Sequence, residues 1–158
     1  MQNLYSCLTE LLGRPEVDPA FAEFLAKVEG PPKLLRDRKH HREHSFSDSG
    51  FALSVGEKGF VSAFLHIATA ATKSGSVKPF IGDLPFGVCA SDSRREVERK
   101  IGKTPVRIQL VASGSSDVPT DYWDDYECDR FNLRFMFSSE HEGLSAIAVR
   151  LTEDPSLH

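Results

Sequence analysis

The sequence has few cysteines and no long run of apolar residues. Its three cysteines, Cys7, Cys89 and Cys128, are odd in number and far apart, which argues against a disulfide framework and a cysteine-based metal site. No stretch approaches the roughly 18 consecutive apolar residues of a membrane-spanning helix. The first residues, Met1 to Leu12, lack a basic region and a cleavage site, so they predict a helix rather than a signal peptide. We therefore expect a cytoplasmic protein that does not contact membranes.

Signatures of common enzymes are also missing from the sequence. It has no Gly-x-Ser-x-Gly elbow, no glycine-rich phosphate loop and no His-Glu-x-x-His run. Nor is there an excess of positive charge, since 19 Lys and Arg stand against 23 Asp and Glu, for a formal net charge of −4. Such a balance implies no general affinity for nucleic acid. These absences favour a non-enzymatic protein without a cofactor.

What the sequence does contain is a weak internal repeat. The 158 residues are 40% hydrophobic, enough for one domain or two small ones. One helix is predicted to begin at Asp18-Pro19, and a second begins with a capping box formed by Ser93 and Glu96. Equivalent positions in the two helices and the segments after them recur at one constant spacing: Phe24 and Val97, Val28 and Ile101, and Pro32 and Pro105.

Each predicted helix is followed by strands that end in a hairpin. Apolar residues alternate along residues 51–67 and again along residues 131–151, and each stretch is interrupted by a turn that contains glycine. We therefore predict an α+β fold made of two tandem helix-plus-antiparallel-sheet units, with the sheets either continuous or side by side. The units would span residues 1–72 and 73–158.

The second half carries motifs that resemble a known fold. They are Leu84-Pro85-Phe86-Gly87, Arg95-Glu96-Val97-Glu98 leading to Ile101-Gly102-Lys103-Thr104-Pro105, then Trp123-Asp124, and the segment from Phe131 to Leu151. The chain resembles the beta-lactamase inhibitor protein and the small outer-membrane assembly lipoproteins, in which a helical pair packs on an antiparallel sheet. In chain length and general sequence character it is also similar to the bacterial immunity proteins that neutralise contact-delivered or secreted toxins. These resemblances imply a protein that binds another protein.

A basic segment from Lys33 to Arg42 offers two further hypotheses. It holds five basic residues and one acid, and its cations could contact phosphates of a nucleic acid: Arg36, Arg38, Lys39 and Arg42. His40 and His44 would meet on a helix and could bind a metal there. The flanking pattern instead predicts a strand, on which the two histidines lie too far apart to chelate one ion. We expect a solvated strand face, with no metal and no nucleic acid bound.

An acidic, aromatic segment is the strongest candidate for a binding site. Residues 117–129 hold five aspartates and one glutamate without a basic residue, and three aromatic residues lie among them. Aromatic side chains among carboxylates suit a basic partner. The predicted partner-binding residues are Asp121, Tyr122, Trp123, Asp124, Asp125, Tyr126, Glu127 and Asp129. The alternative is a polar loop over residues 113–120 that enters an exposed strand, with Trp123 packed on the core.

We therefore predict a non-enzymatic inhibitor, specifically an immunity protein that covers the active site of a bacterial toxin. Its partner would be a basic toxin domain. The alternative is a small-ligand-binding domain or an enzyme whose pocket lies between the two repeats, with His44, His66 or Cys89 in it. Outside that alternative, we expect the three cysteines to pack as small apolar side chains and not to act as nucleophiles.

Overall fold

The computed structural model describes residues 3–38, 41–68, 70–72, 75–110, 122–138 and 143–152. Within these ranges the α-helices are α1 (Leu4–Leu11), α2 (Pro19–Lys27) and α3 (Arg94–Ile101), and a 3-10 turn spans Pro85–Gly87. The strands are β1 (Lys33–Arg38), β2 (His41–Phe46), β3 (Phe51–Gly56), β4 (Gly59–His66), β5 (Ala70–Thr72), β6 (Gly75–Val77), β7 (Arg107–Leu110), β8 (Tyr122–Cys128), β9 (Phe131–Phe137) and β10 (Leu144–Leu151). None of the described helices is long and apolar enough to cross a membrane.

Side-chain caps determine where α2 and α3 begin. The Asp18 carboxylate accepts a hydrogen bond from the Ala20 amide at the start of α2, and the Ser93 hydroxyl accepts one from the Glu96 amide at the start of α3. After α3 the backbone turns at Gly102 in the left-handed conformation, with φ of 83°. The helices predicted at Asp18 and Ser93 are confirmed.

Among the residues that the structure describes, strands from both halves of the chain form a single antiparallel sheet of eight strands, in the order β1-β2-β3-β4-β10-β9-β8-β7. Strand β4 pairs directly with β10, with Leu65 opposite Ile147. The prediction of two tandem helix-plus-sheet units is therefore wrong. The physical reason is that β4 and β10 would each leave unpaired backbone groups along one edge of a separate sheet, and their pairing satisfies both edges. The predicted boundary at residues 72 and 73 falls between β5 and β6, which pair as a separate small hairpin.

The helices pack on one side of the large sheet, here called the helix side. One row of directly opposed residues crosses the sheet there, and all of its members are buried: Leu53, Ala63, Val149, Leu133 and Tyr126. These residues form one core cluster with Leu8 of α1, Phe24 of α2 and Val97 of α3. Burial of this shared apolar surface is the main force that holds helices and sheet together.

The opposite side of the sheet, here called the open side, carries the alternate residues of the same strands. Its neighbouring row is Ala52, Phe64, Ala148, Arg134, Asp125 and Arg107. Val77 of the small hairpin packs on one part of this side, against Phe64, Met136 and Ala146. Antiparallel sheets commonly keep one side in solvent, so this arrangement is stable without a second layer of helices.

Candidate functional site

Strand β8 divides the predicted binding residues between the two sides of the sheet. Successive side chains of a strand point to opposite faces. Tyr122, Asp124 and Tyr126 lie opposite core residues of β9 and point to the helix side. Trp123, Asp125 and Glu127 therefore lie on the open side. Asp129 is exposed in the turn after β8, and Asp121 lies outside the described residues.

Of the three helix-side members, Asp124 and Tyr126 are buried and Tyr122 is half-buried. Asp124 is 3% exposed, and its two carboxylate oxygens accept hydrogen bonds from Nε and Nη2 of Arg94 at 3.0 and 2.7 Å. The Arg94 guanidinium also lies 4.6 Å from the ring centroid of Tyr122, and its hydrogen bond to Asp124 raises its pKa. Tyr126 is 1% exposed, and burial raises its pKa to about 12. These contacts attach the start of α3 to β8.

The open-side members form a compact cluster with an arginine from β9. Arg134 lies directly opposite Asp125, and its Nε and Nη2 donate to the two carboxylate oxygens at 2.8 and 3.1 Å. The same guanidinium stacks over the ring of Trp123, 4.2 Å from its centroid. We call Trp123, Asp125 and Arg134 the Trp–Arg–Asp cluster. Two hydrogen bonds and a ring contact hold Arg134 in one orientation.

Arg134 is the functional candidate that the sequence reasoning missed. A signal for it was present, because Phe131, Leu133 and Phe135 alternate as a buried face and so place residue 134 on the other side. Its partner could not be read from the sequence, since the pairing with Asp125 depends on the register between β8 and β9.

A depression of about 540 Å³ lies beside the Trp–Arg–Asp cluster on the open side. Its lining includes Asp125 and Arg134 of the cluster, but not Trp123, together with Ser62, Arg107, Glu127, Asn132, Arg150 and Thr152. The lining therefore combines charges of both signs with hydroxyl and amide groups. The buried Oδ1 atom of Asn132 has no hydrogen-bond partner within the described part of the chain. Such a surface can form hydrogen bonds and ion pairs with a partner or a small polar ligand.

The residues proposed for a pocket between repeats do not line this depression. His44 on β2 packs against Phe21, and its Nε2 lies 2.8 Å from Oε2 of Glu16. His66 ends β4 and is 8% exposed, and burial lowers its pKa. Cys89 is exposed in the loop before α3.

The basic segment is only partly described. Arg42 of β2 forms an ion pair with Glu16, the same carboxylate that His44 contacts. Lys39 and His40 lie outside the described residues, as do the side chains of Arg36 and Arg38. Among the side chains that the structure describes, no group of three or more His, Cys, Asp and Glu residues is placed to hold a metal ion.

No protein-family model matches the sequence, and no curated protein matches it either. A solved structure is similar in fold: an extracellular protein containing a SCP domain from Bacillus anthracis str. Ames, with a TM-score of 0.53 and 13% sequence identity. The similarity covers 91% of this chain but 45% of the other, so this chain spans less than half the length of that protein. At this identity the likeness concerns the fold alone.

Proposed function

We propose that this chain is a non-enzymatic protein that binds another protein through the open side of its sheet. More specifically, we propose that the chain is an immunity protein that covers the active site of a bacterial toxin. The observation that supports it is the Trp–Arg–Asp cluster, because tryptophan and arginine are enriched among residues that dominate binding energy at interfaces. The resemblance to inhibitor and immunity proteins points in the same direction.

The cluster suits this role because it is already ordered. Binding a partner costs free energy when flexible side chains must be fixed, about 0.5–1.5 kcal/mol for each. Arg134 is held by Asp125 and Trp123 before any partner arrives. The partner in this proposal is a basic toxin domain, whose cations would approach the exposed acids Glu127 and Asp129.

A second candidate function is supported by the depression beside the cluster. Its volume of about 540 Å³ lies within the range of small-molecule sites, roughly 300–1,000 Å³. The unpaired Oδ1 atom of Asn132 in its wall would accept a hydrogen bond from a polar ligand after a small rearrangement. In this alternative the chain is a small-ligand-binding domain.

The test begins with capture of partners by the tagged chain from a lysate of its source organism at two salt concentrations. The captured protein is then purified, and its own activity is assayed with and without this chain. Stoichiometric complex formation with loss of that activity is the expected result. A complex in which the partner stays fully active contradicts the inhibitor proposal, and retention of a small molecule instead supports the ligand-binding alternative.

Variants then locate the binding surface. Trp123→Ala and Arg134→Ala should each weaken the complex by about 30-fold or more, equivalent to roughly 2 kcal/mol. The control is Arg95→Ala, which removes an exposed charge from α3 on the helix side. Circular dichroism melting establishes that each variant is folded. If the cluster variants bind as tightly as the control, the open side is not the interface.

A further inference from the structure

The depression on the open side holds two side chains of opposite charge that do not pair with each other. Arg107 of β7 lies opposite Asp125, and Glu127 follows on the same side of β8. Arg107 and Glu127 are both exposed and both line the depression. Within the described ranges neither side chain forms an ion pair, and the Asp125 carboxylate is bound by Arg134. Each of the two charges can therefore be met by a ligand.

Asn132 adds a hydrogen-bond acceptor beside Glu127. The two residues lie directly opposite each other in the pairing of β8 with β9, and both line the depression. The Asn132 Oδ1 atom is buried and accepts no hydrogen bond from the part of the chain that the structure describes. A buried acceptor without a partner is unfavourable, so an N–H group of a ligand that reached this atom would be bound well. Glu127 and Asn132 thus form an accepting end of the depression, and Arg107 forms a donating end.

The two charges select against ligands that carry charge of one sign. A simple anion would be attracted by Arg107 and repelled by Glu127, and a simple cation would experience the reverse. Diagonal neighbours on adjacent strands have Cβ atoms about 7–8 Å apart, which leaves space for a ligand with both charges between these two long side chains. Aliphatic groups also line the depression, from Val106, Ala148 and Leu151. The lining therefore suits a zwitterion with an aliphatic body.

We propose that this depression binds an α-amino acid with an aliphatic side chain. Its ammonium group contacts the Glu127 carboxylate and, after rotation of the amide, Oδ1 of Asn132, and its carboxylate accepts hydrogen bonds from Arg107. Arg134 keeps its hydrogen bonds to Asp125 in this arrangement. The inference rests on the small-ligand-binding alternative given above and names the class of ligand.

The test is a titration of the full ¹⁵N-labelled chain with L-leucine, L-isoleucine and L-valine, followed by the NMR signals of backbone and side-chain amides. At least one of the three should produce saturable shifts in the depression, including the Asn132 side-chain amide, with a Kd of about 1 mM or lower. No saturable shift there at about 10 mM of any of the three would overturn the proposal.

Two analogues of leucine separate the contributions of its charges. The first, 4-methylpentanoate, lacks the ammonium group, and the second, 3-methylbutylamine, lacks the carboxylate. Each should bind at least about ten-fold more weakly than leucine, because each loses charge-assisted hydrogen bonds and keeps the repulsion of one end. An analogue that binds as tightly as leucine would show that the depression does not recognise a zwitterion.

Substitutions then assign the two ends. Glu127→Gln should weaken leucine binding about ten-fold and strengthen that of 4-methylpentanoate, whereas Arg107→Gln should weaken leucine binding and strengthen that of 3-methylbutylamine. The matched controls are Glu29→Gln and Arg95→Gln, which remove exposed charges outside the depression and should bind leucine like the unmodified chain. If either depression variant shifts the affinities for all three ligands in the same direction, the assignment of the ends is wrong.

The result is distinguishable from that of the capture experiment. A chain that binds leucine but captures no protein would support this inference and contradict the protein-binding proposal. Inhibition of a captured partner by a chain that binds none of the three amino acids would do the reverse. Retention of a different class of small molecule, without amino-acid binding, would overturn the amino-acid assignment and leave the ligand-binding alternative in place.

Discussion

Two neighbouring aspartates on β8 offer a direct test of the division between the two sides of the sheet. Asp124 and Asp125 each accept two hydrogen bonds from an arginine, and the two arginine side chains are almost equally exposed, at 37% and 36%. The carboxylates differ, because the Asp124 side chain is 4% exposed and that of Asp125 is 18% exposed. Asp124→Asn should therefore destabilise the fold more than Asp125→Asn.

The expected magnitude follows from the burial of each pair. Removal of one partner from a fully buried ion pair costs about 3–5 kcal/mol, and an exposed pair contributes about 0–1 kcal/mol. Arg94 can regain water, and an asparagine still accepts one of its hydrogen bonds, so we expect about 1–3 kcal/mol for Asp124→Asn. For Asp125→Asn we expect less than about 1 kcal/mol. In a chain of this size, 2 kcal/mol corresponds to a decrease in Tm of roughly 4–8 °C.

Urea unfolding followed by far-UV circular dichroism measures both free energies. Fluorescence is less suitable, since the single tryptophan, Trp123, touches the arginine that Asp125 binds. A double-mutant cycle with Arg94→Met isolates the coupling of the buried pair. Equal losses for the two asparagine variants, or a larger loss for Asp125→Asn, would refute the assignment of Asp124 to the core.

Three further predictions concern the loops and turns. Burial alone would raise the pKa of Asp92, but hydrogen bonds from the Cys89 amide and the Lys100 ammonium hold that pKa below its usual range. The resulting stabilisation is complete above about pH 5, where the unfolded-state carboxyl is ionised, and is lost as the pH falls through the lower folded-state pKa, so the free energy of unfolding of Asp92→Asn should fall less steeply than that of the unmodified chain below about pH 5 in urea titrations. Cys89, the exposed thiol, should react with iodoacetamide faster than the two half-buried cysteines, as followed by peptide mass spectrometry. Gly50→Ala should lower stability to urea by at least about 2 kcal/mol more than Gly87→Ala, because both glycines have positive φ but a Cβ at Gly50 would overlap the backbone after β6; equal losses would contradict this.

Local signals in the sequence correctly predicted the helices at Asp18 and Ser93 and the two long hairpins. The caps at Asp18 and Ser93 and the alternation in the two long hairpins each depend on neighbours within a few residues. The pairing of β4 with β10 depends on two segments that are far apart in the chain, and nothing in either segment specifies the other as its neighbour. Alternation indicates which face of a strand is buried, but it does not identify the strand beside it.

The candidate site is less predictable from the sequence than the helices and hairpins, because the predicted site is one continuous segment whereas the observed contacts also need Arg134 of β9 and Arg94 of α3. The sequence contained enough information to separate Asp124 from Asp125, since a strand of period two places them on opposite faces. It did not contain the ion pairs of these residues, which need the position of Arg94 at the start of α3 and the register that brings Arg134 opposite Asp125.

The two ion pairs also change what the acidic segment can do for a partner. In the sequence, residues 117–129 form a run of negative charge that would steer a basic partner over a long distance. In the folded chain an arginine neutralises each of the two central aspartates, and Glu127 and Asp129 are the acids of β8 and its turn that lie exposed. Attraction by Glu127 and Asp129 is screened beyond about 8–10 Å at physiological salt. Partner binding through this side should therefore depend more on contacts of Trp123 and Arg134 than on ionic strength. Substitution of either residue should change the dissociation rate of the complex more than its association rate.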